Sequence, residues 1–161
     1  MSAIALFIKM PKTALAGLLT AATPKKRFFG APRDTYYDYL RQNGEEVTDY
    51  RWSGYVLGTL LPYLEEQHQI DLMKSEHEVL STGLTKARGA THFLLTDALR
   101  VKYLDRLGGL SLSEEQLRDY YNKFNETDEP EVGKSMLVGV KAFQQALGSV
   151  DESSVVVLVI G

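Results

Sequence analysis

An apolar run without alternating polar positions, "VVVLVI" at residues 155–160, lies near the carboxyl end of the chain. Such a run is typical of a β-strand that other elements cover on both faces. Two further stretches favour strands, "SAIALFI" at residues 2–8 and "THFLLT" at residues 91–96. We therefore predict a small sheet that is built from N-terminal, central and C-terminal strands.

Apolar positions at helical spacing fill most of the chain between these strands. One such stretch repeats its apolar side chains at Leu117, Tyr120, Tyr121 and Phe124. We expect about six helices to pack against the sheet. The strands are too few and too irregularly spaced for a doubly wound fold, so the pattern predicts the α+β class. No repeat or linker interrupts the pattern, which predicts a single domain over residues 1–161.

Short polar motifs predict where several helices begin and end. Ser113 and Gln116 have the spacing of a capping box at a helix start. Asn43-Gly44 predicts a left-handed cap at the end of a short helix over residues 35–42. Pro62 interrupts the apolar stretch "SGYVLGTLLPYLEEQ", so we expect a kink, a break or a new helical segment there.

Composition limits the kinds of protein this chain can be. With 161 residues, 44% hydrophobic and 24% charged, it has the profile of one folded domain. The absence of cysteine excludes disulfides, thiolate metal ligands and cysteine nucleophiles, and it suits a cytoplasmic location. No apolar segment approaches the roughly 20 residues of a membrane span, so we expect a soluble chain without a membrane partner.

The net charge of -3 conceals a strong asymmetry. Residues 1–33 hold six basic residues and no acidic one, whereas the rest of the chain holds 12 basic and 21 acidic residues. Within the basic part, "PKKRFFGAPR" predicts a loop that Phe28-Phe29 hold to the core. Nucleic acid could bind only to this basic part, and we expect no such partner.

Sites for chemistry are not evident in the sequence. The chain has no GxSxG nucleophile elbow, no GxxxxGK[ST] phosphate loop and no GxGxxG motif. Its three histidines, His68, His77 and His92, lack the spacing of metal ligands. We therefore predict no catalytic residue, no cofactor and no metal site.

His92, at the start of the central strand, leaves two interpretations open. It could act as a general base or hydrogen-bonding anchor beside a pocket that Tyr55 and Tyr103 help to form. It could also be a half-buried strand histidine that a backbone group satisfies, which is the interpretation we favour.

Aromatic residues cluster between residues 34 and 55, in "DTYYDYL" and "DYRWSGY". One face of a short helix cannot bury Tyr36, Tyr37 and Tyr39 together, so at least one of them should be exposed. Tyrosine and tryptophan dominate binding hot spots, although core packing remains an equal alternative. The neighbouring carboxylates would repel phosphates. The predicted contacts with a protein partner are Tyr36, Tyr37, Asp38, Glu45, Glu46 and Trp52.

A second acidic region lies between residues 113 and 131, where seven acidic residues stand against Arg118 and Lys123. Helical spacing scatters most of these carboxylates, so a solvated face is the expected outcome. A negative surface for a basic partner is the alternative.

Three stretches resemble the YfbM-like bacterial proteins, a small family without an established activity: "SAIALFIKMPKTALAGLL", "THFLLTDA" and "KAFQQALGSVDESSVVVLVIG". In size, acidity and lack of catalytic motifs the chain is also similar to the immunity proteins that bacteria encode beside secreted toxins. This similarity implies a binding protein that occludes the active site of a cognate toxin. The alternative is a YfbM-like small-ligand protein or enzyme with the pocket near His92.

Overall fold

A computed structural model describes residues 2–31 and 33–161, and within them four strands form one antiparallel sheet. The strands are β1 (Ala5–Pro11), β2 (Glu45–Thr48), β3 (Thr91–Leu95) and β4 (Ser154–Ile160), in the spatial order β2-β1-β4-β3. The described residues also form seven α-helices, one more than the approximate count expected. They are α1 (Leu15–Ala22), α2 (Tyr36–Asn43), α3 (Gly54–His68), α4 (Glu78–Arg88), α5 (Asp97–Gly108), α6 (Glu114–Asn125) and α7 (Val132–Ser149). The predicted α+β class is confirmed.

β4 lies between β1 and β3, and all of its side chains are buried. Val155, Val157 and Val159 pack into one hydrophobic cluster, whereas Val156 and Leu158 pack into another on the opposite face. The missing polar alternation in its sequence therefore reflects burial on both sides.

Helices cover both faces of the sheet, so the fold has three layers. One layer consists of α1, α2 and α4, which supply Leu18, Leu40 and Leu84 to the cluster on that face. The other layer contains α3, α5, α6 and α7, whose apolar side chains pack against Phe7 and Leu158.

β2 was not predicted, because its sequence "EEVT" has the composition of a polar connection between helices. The prediction of a left-handed cap at Gly44 is also wrong, since its φ is -143° and the chain passes directly into the strand. A Cβ atom at Gly44 would lie 2.6 Å from Ile8 Cγ2 and 2.7 Å from the Lys9 carbonyl oxygen. Glycine is therefore needed for the close approach of α2 to β1.

The other local predictions have mixed outcomes. Ser113 Oγ accepts a hydrogen bond from the Gln116 N–H at 3.1 Å, as expected of a helix cap. α3 continues through Pro62 without a break. The expectation that Phe28 and Phe29 pack on the core is wrong, since they are 99% and 88% exposed. No helix in residues 2–31 and 33–161 has the length and apolar character to cross a membrane.

Replacement of Gly133 by alanine is expected to destabilise the protein by about 3 kcal/mol or more, as an overpacked contact does. The new Cβ would lie far inside van der Waals contact with the Glu114 carbonyl oxygen, a backbone atom that cannot move alone. Gly148 in the same helix has open space around its Cβ position and provides the control. Gly148→Ala should be neutral or stabilising by up to about 1 kcal/mol. Urea unfolding measures both, and equal effects would contradict the close packing of α6 on α7.

Candidate functional site

His92 and Tyr36 form a buried hydrogen bond that joins β3 to α2. The Tyr36 hydroxyl lies 2.6 Å from His92 Nε2, and His92 Nδ1 lies 2.8 Å from the Ala90 carbonyl oxygen. A carbonyl oxygen can only accept, so Nδ1 carries the hydrogen and the ring is neutral with Nε2 as an acceptor. Tyr36 is consequently the donor to His92.

The backbone of His92 is satisfied by α4. Its N–H donates to Thr85 Oγ1 at 3.0 Å, and its carbonyl oxygen accepts from the Ser81 hydroxyl. These backbone groups face away from β4, at the open edge of the sheet. The two hydroxyls of α4 therefore cap this edge at His92, where another strand could otherwise pair.

Arg88, at the end of α4, holds the beginning of α2. Its guanidinium donates to the Asp34 carboxylate at 2.7 and 3.1 Å, which is bidentate geometry. The same guanidinium lies over the Tyr36 ring at 4.7 Å and over the Tyr37 ring at 5.6 Å from their centroids. The hydrogen bonds from Arg88, and one from the Tyr36 backbone N–H, keep the pKa of Asp34 below its ordinary value.

Burial keeps both partners of the Tyr36–His92 pair neutral. It lowers the pKa of His92 below the ordinary 6.5, with Arg88 adding a smaller repulsion, and it raises the pKa of Tyr36. His92 is 1% exposed, and both ring nitrogens have partners. The imidazole therefore serves to connect elements of the core, as in the interpretation favoured from the sequence, although it is more deeply buried than expected.

The predicted pocket of His92, Tyr55 and Tyr103 does not form. His92 is on the face of β3 that also carries Leu94, toward α1, α2 and α4. Tyr103 is buried on the opposite face of the sheet, in the layer that contains α5. Tyr55 is exposed at the start of α3. The sheet itself thus separates Tyr103 from His92.

A concave site, which we call the β3 groove, lies beside β3 between α3 and α4, and His92 and Tyr55 are among the residues that line it. Its main part has a volume of about 500 Å³, and a part of about 330 Å³ that no charged side chain lines adjoins it. Both parts share Met73, Thr91 and Phe93. Charged and hydroxyl side chains line the main part, among them Lys74, Glu78, Thr82 and Lys86. No sequence pattern marks these four residues, because they resemble ordinary positions on the surface of a helix.

The structure divides the six predicted partner contacts. Tyr36 is 1% exposed, so the prediction that it contacts a partner is wrong; its hydrogen bond to His92 requires this burial. Tyr37 is 45% exposed and Trp52 is 39% exposed. Asp38, Glu45 and Glu46 are also exposed. Five of the six side chains are therefore accessible to another molecule.

The exposed aromatic residues lie around one end of the sheet. Tyr37 contacts Arg88, which is the last residue of α4. The connection from Arg88 to β3 contains Ala90, and Gly161 lies next to Ala90. Gly161 exchanges backbone hydrogen bonds with Ile4 at the start of β1. The Gly54 N–H donates to the Ala3 carbonyl oxygen, which brings the start of α3 to the same end. We call this group of exposed side chains the aromatic surface; it consists of three aromatic residues, Tyr37, Trp52 and Tyr55, and of Ile4.

Much of the acidic charge near the aromatic surface is paired. Asp38 forms an ion pair with Arg41 at 2.6 Å, and Asp49 forms one with Arg51 at 2.6 Å. Glu45 and Glu46 have no ion-pair partner within the described part of the chain. They lie on β2, an edge strand, in register with Lys9 and Ile8 of β1. These two glutamates therefore carry the net negative charge of this edge.

The described ranges contain no group of three or more His, Asp or Glu side chains that could hold a metal ion. Comparisons of the chain with protein-family models, with curated proteins and with solved structures find no match.

Tyr36→Phe is expected to lower the free energy of unfolding by about 1–3 kcal/mol, because His92 Nε2 would remain buried without a donor. Tyr37→Phe provides the matched control, since the neighbouring ring is exposed and should change stability by less than about 0.5 kcal/mol. Urea unfolding of the two variants measures the difference. Equal stabilities would show that the buried hydrogen bond contributes nothing.

Stability is expected to decrease as the pH falls below about 6.5. Unfolded His92 has its ordinary pKa of 6.5, whereas the folded pKa is lower, so protons bind the unfolded chain first. The contribution of neutral His92 is therefore complete above pH 6.5 and is lost as the pH falls toward the lowered value. Urea unfolding of the wild type and of His92→Gln at several pH values isolates this effect, because the other titrating groups are common to both. Parallel pH profiles would contradict a lowered pKa of His92.

Proposed function

We propose that this chain is an immunity protein that binds a cognate protein toxin and occludes its active site through the aromatic surface. The observation that carries the proposal is the exposure of Tyr37, Trp52 and Tyr55 around one end of the sheet. Tyrosine and tryptophan offer a large contact area together with a polar atom, and they are enriched among binding hot spots.

Tyr37 is held in place before any partner binds. Arg88 lies over its ring, and the ring also packs edge-on against Tyr36 at 5.3 Å. Arg88 is itself fixed by its bidentate pair with Asp34. A side chain that is already ordered loses little conformational entropy on docking, so more of its contact energy contributes to affinity.

The acidic edge supplies a reason for rapid association. Glu45 and Glu46 project from a hydrogen-bonded strand, which fixes the points at which their side chains leave the backbone. A negative edge attracts a basic surface over several ångströms and raises the association rate, whereas the aromatic contacts slow dissociation. A toxin with a basic active site, such as one that acts on phosphate-containing substrates, fits this arrangement.

A small-ligand role is the second candidate, and the β3 groove favours it. The groove combines an apolar part with hydroxyl and charged side chains, the usual composition of a ligand site. His92 lines the main part of the groove, but both of its ring nitrogens are already hydrogen-bonded, to Tyr36 and to the Ala90 carbonyl oxygen. Membership of the YfbM-like proteins stays a prediction under either function.

The combined substitution of Tyr37 and Trp52 by alanine is expected to weaken partner binding by at least about thirtyfold, the effect of losing one hot spot. The tagged full-length chain is first used to capture its partner from the native host, and mass spectrometry identifies the partner. Titration calorimetry then compares the wild type, the double variant and Phe124→Ala. Phe124 is an exposed aromatic residue on α6, outside the aromatic surface, and its loss should leave the affinity unchanged.

Growth assays test the toxin part of the proposal. The captured partner, expressed alone in a test bacterium, should arrest growth, and co-expression of the wild-type chain should restore it. The double variant should fail to restore growth, while Phe124→Ala succeeds. A partner that is harmless when expressed alone, or the absence of any stoichiometric partner, would contradict the immunity function.

A further inference from the structure

The connection between α1 and α2 presents two phenylalanines to solvent. Phe28 and Phe29 are 99% and 88% exposed, and their ring centroids are 5.8 Å apart. Lys25 and Arg33 form an isolated antiparallel bridge, which closes the base of the loop. The two rings therefore lie near the tip of a projecting loop, beyond its paired base.

Cations surround these rings. Lys25, Lys26 and Arg27 precede Phe28 directly, and all three are exposed. In the described part of the chain none of them forms an ion pair, and the first acidic residue after them, Asp34, is bound to Arg88. We call residues 25–29 the Phe28 loop. The loop therefore places three positive charges next to the two exposed phenylalanine rings.

Two adjacent phenylalanines in water are unfavourable, so their exposure indicates a surface that covers them. The interface of a lipid bilayer can bury both rings at the tip of a loop, and it needs no preformed pocket to do so. Its anionic headgroups bind the neighbouring lysines and arginine. Residues 1–33 contain no acidic residue, so no carboxylate in this part of the chain would be repelled by the anionic headgroups. A nucleic-acid duplex would satisfy the cations, but its phosphate backbone gives the phenylalanines no apolar environment.

We propose that the Phe28 loop binds reversibly to membrane surfaces that contain anionic lipid. Phe28 and Phe29 insert between the headgroups, and Lys25, Lys26 and Arg27 contact lipid phosphates. Each cation near an anionic leaflet raises the membrane partition coefficient about fivefold. The expectation that the chain has no membrane partner rested on the lack of a spanning segment, and binding to a membrane surface through a loop needs no such segment. This proposal is independent of the proposed toxin.

Vesicle co-sedimentation of the full-length chain tests the proposal. Vesicles of phosphatidylcholine with about one third phosphatidylglycerol should bind the chain, whereas pure phosphatidylcholine should bind it at least about tenfold more weakly. The double substitution Phe28→Ser and Phe29→Ser should reduce binding to the anionic vesicles by more than about tenfold. Phe124→Ser is the matched control, since it removes an exposed phenylalanine from acidic α6 and should leave binding unchanged.

Fluorescence reports whether the loop itself enters the bilayer. The variant combines Phe28→Trp with Trp52→Phe, so that the only tryptophan lies in the loop. On the anionic vesicles the fluorescence emission of this tryptophan should shift to the blue, and brominated lipid should quench it. Absence of binding to anionic vesicles at low salt, or unchanged binding after the double serine substitution, would overturn the proposal. Charge-dependent binding with no blue shift would also overturn it, since the rings would then remain in water.

Discussion

Burial of β4 on both faces is the constraint on which the rest of the structure depends. Its six apolar residues, 155–160, alternate between two hydrophobic clusters, and neither cluster can form without its own helical layer. A sheet of four strands with one exposed face would leave half of these side chains in water. The chain therefore has to supply helices to both faces, and the edge strands take the positions that remain.

This three-layer arrangement decides which residues can meet. Neighbouring positions on β3 point to opposite faces, so the His92 side chain belongs to the layer of α2, while the Phe93 side chain belongs to the other layer. The single imidazole of the core then needs a polar partner, and Tyr36 provides it. The cost of an unsatisfied buried nitrogen explains why Tyr36, rather than the neighbouring Tyr37, faces inward.

The sequence predicted the fold class, three of the four strands and a helix cap, because these depend on apolar periodicity and on local hydrogen bonds. It did not reveal β2, since a short edge strand with two glutamates has the composition of a loop and is recognised only by its pairing with β1. Periodicity required that one of the clustered tyrosines be exposed, but not which one. That choice depends on His92, which is 56 residues away from Tyr36 in the sequence.

Arg88 connects the two surfaces to which we assign binding. It contacts Tyr37 of the aromatic surface. It also binds Asp34, which follows the Phe28 loop. Its Nη1 donates a hydrogen bond of 3.4 Å to the carbonyl oxygen of Ala22, which precedes that loop. The two ends of the loop connection are thus held to α4, although its tip is free. Because the same guanidinium lies over Tyr37, a membrane that binds the tip would also constrain the direction in which the aromatic surface faces. Loss of Arg88 should therefore affect both surfaces together, whereas loss of Phe28 or Trp52 should affect only one.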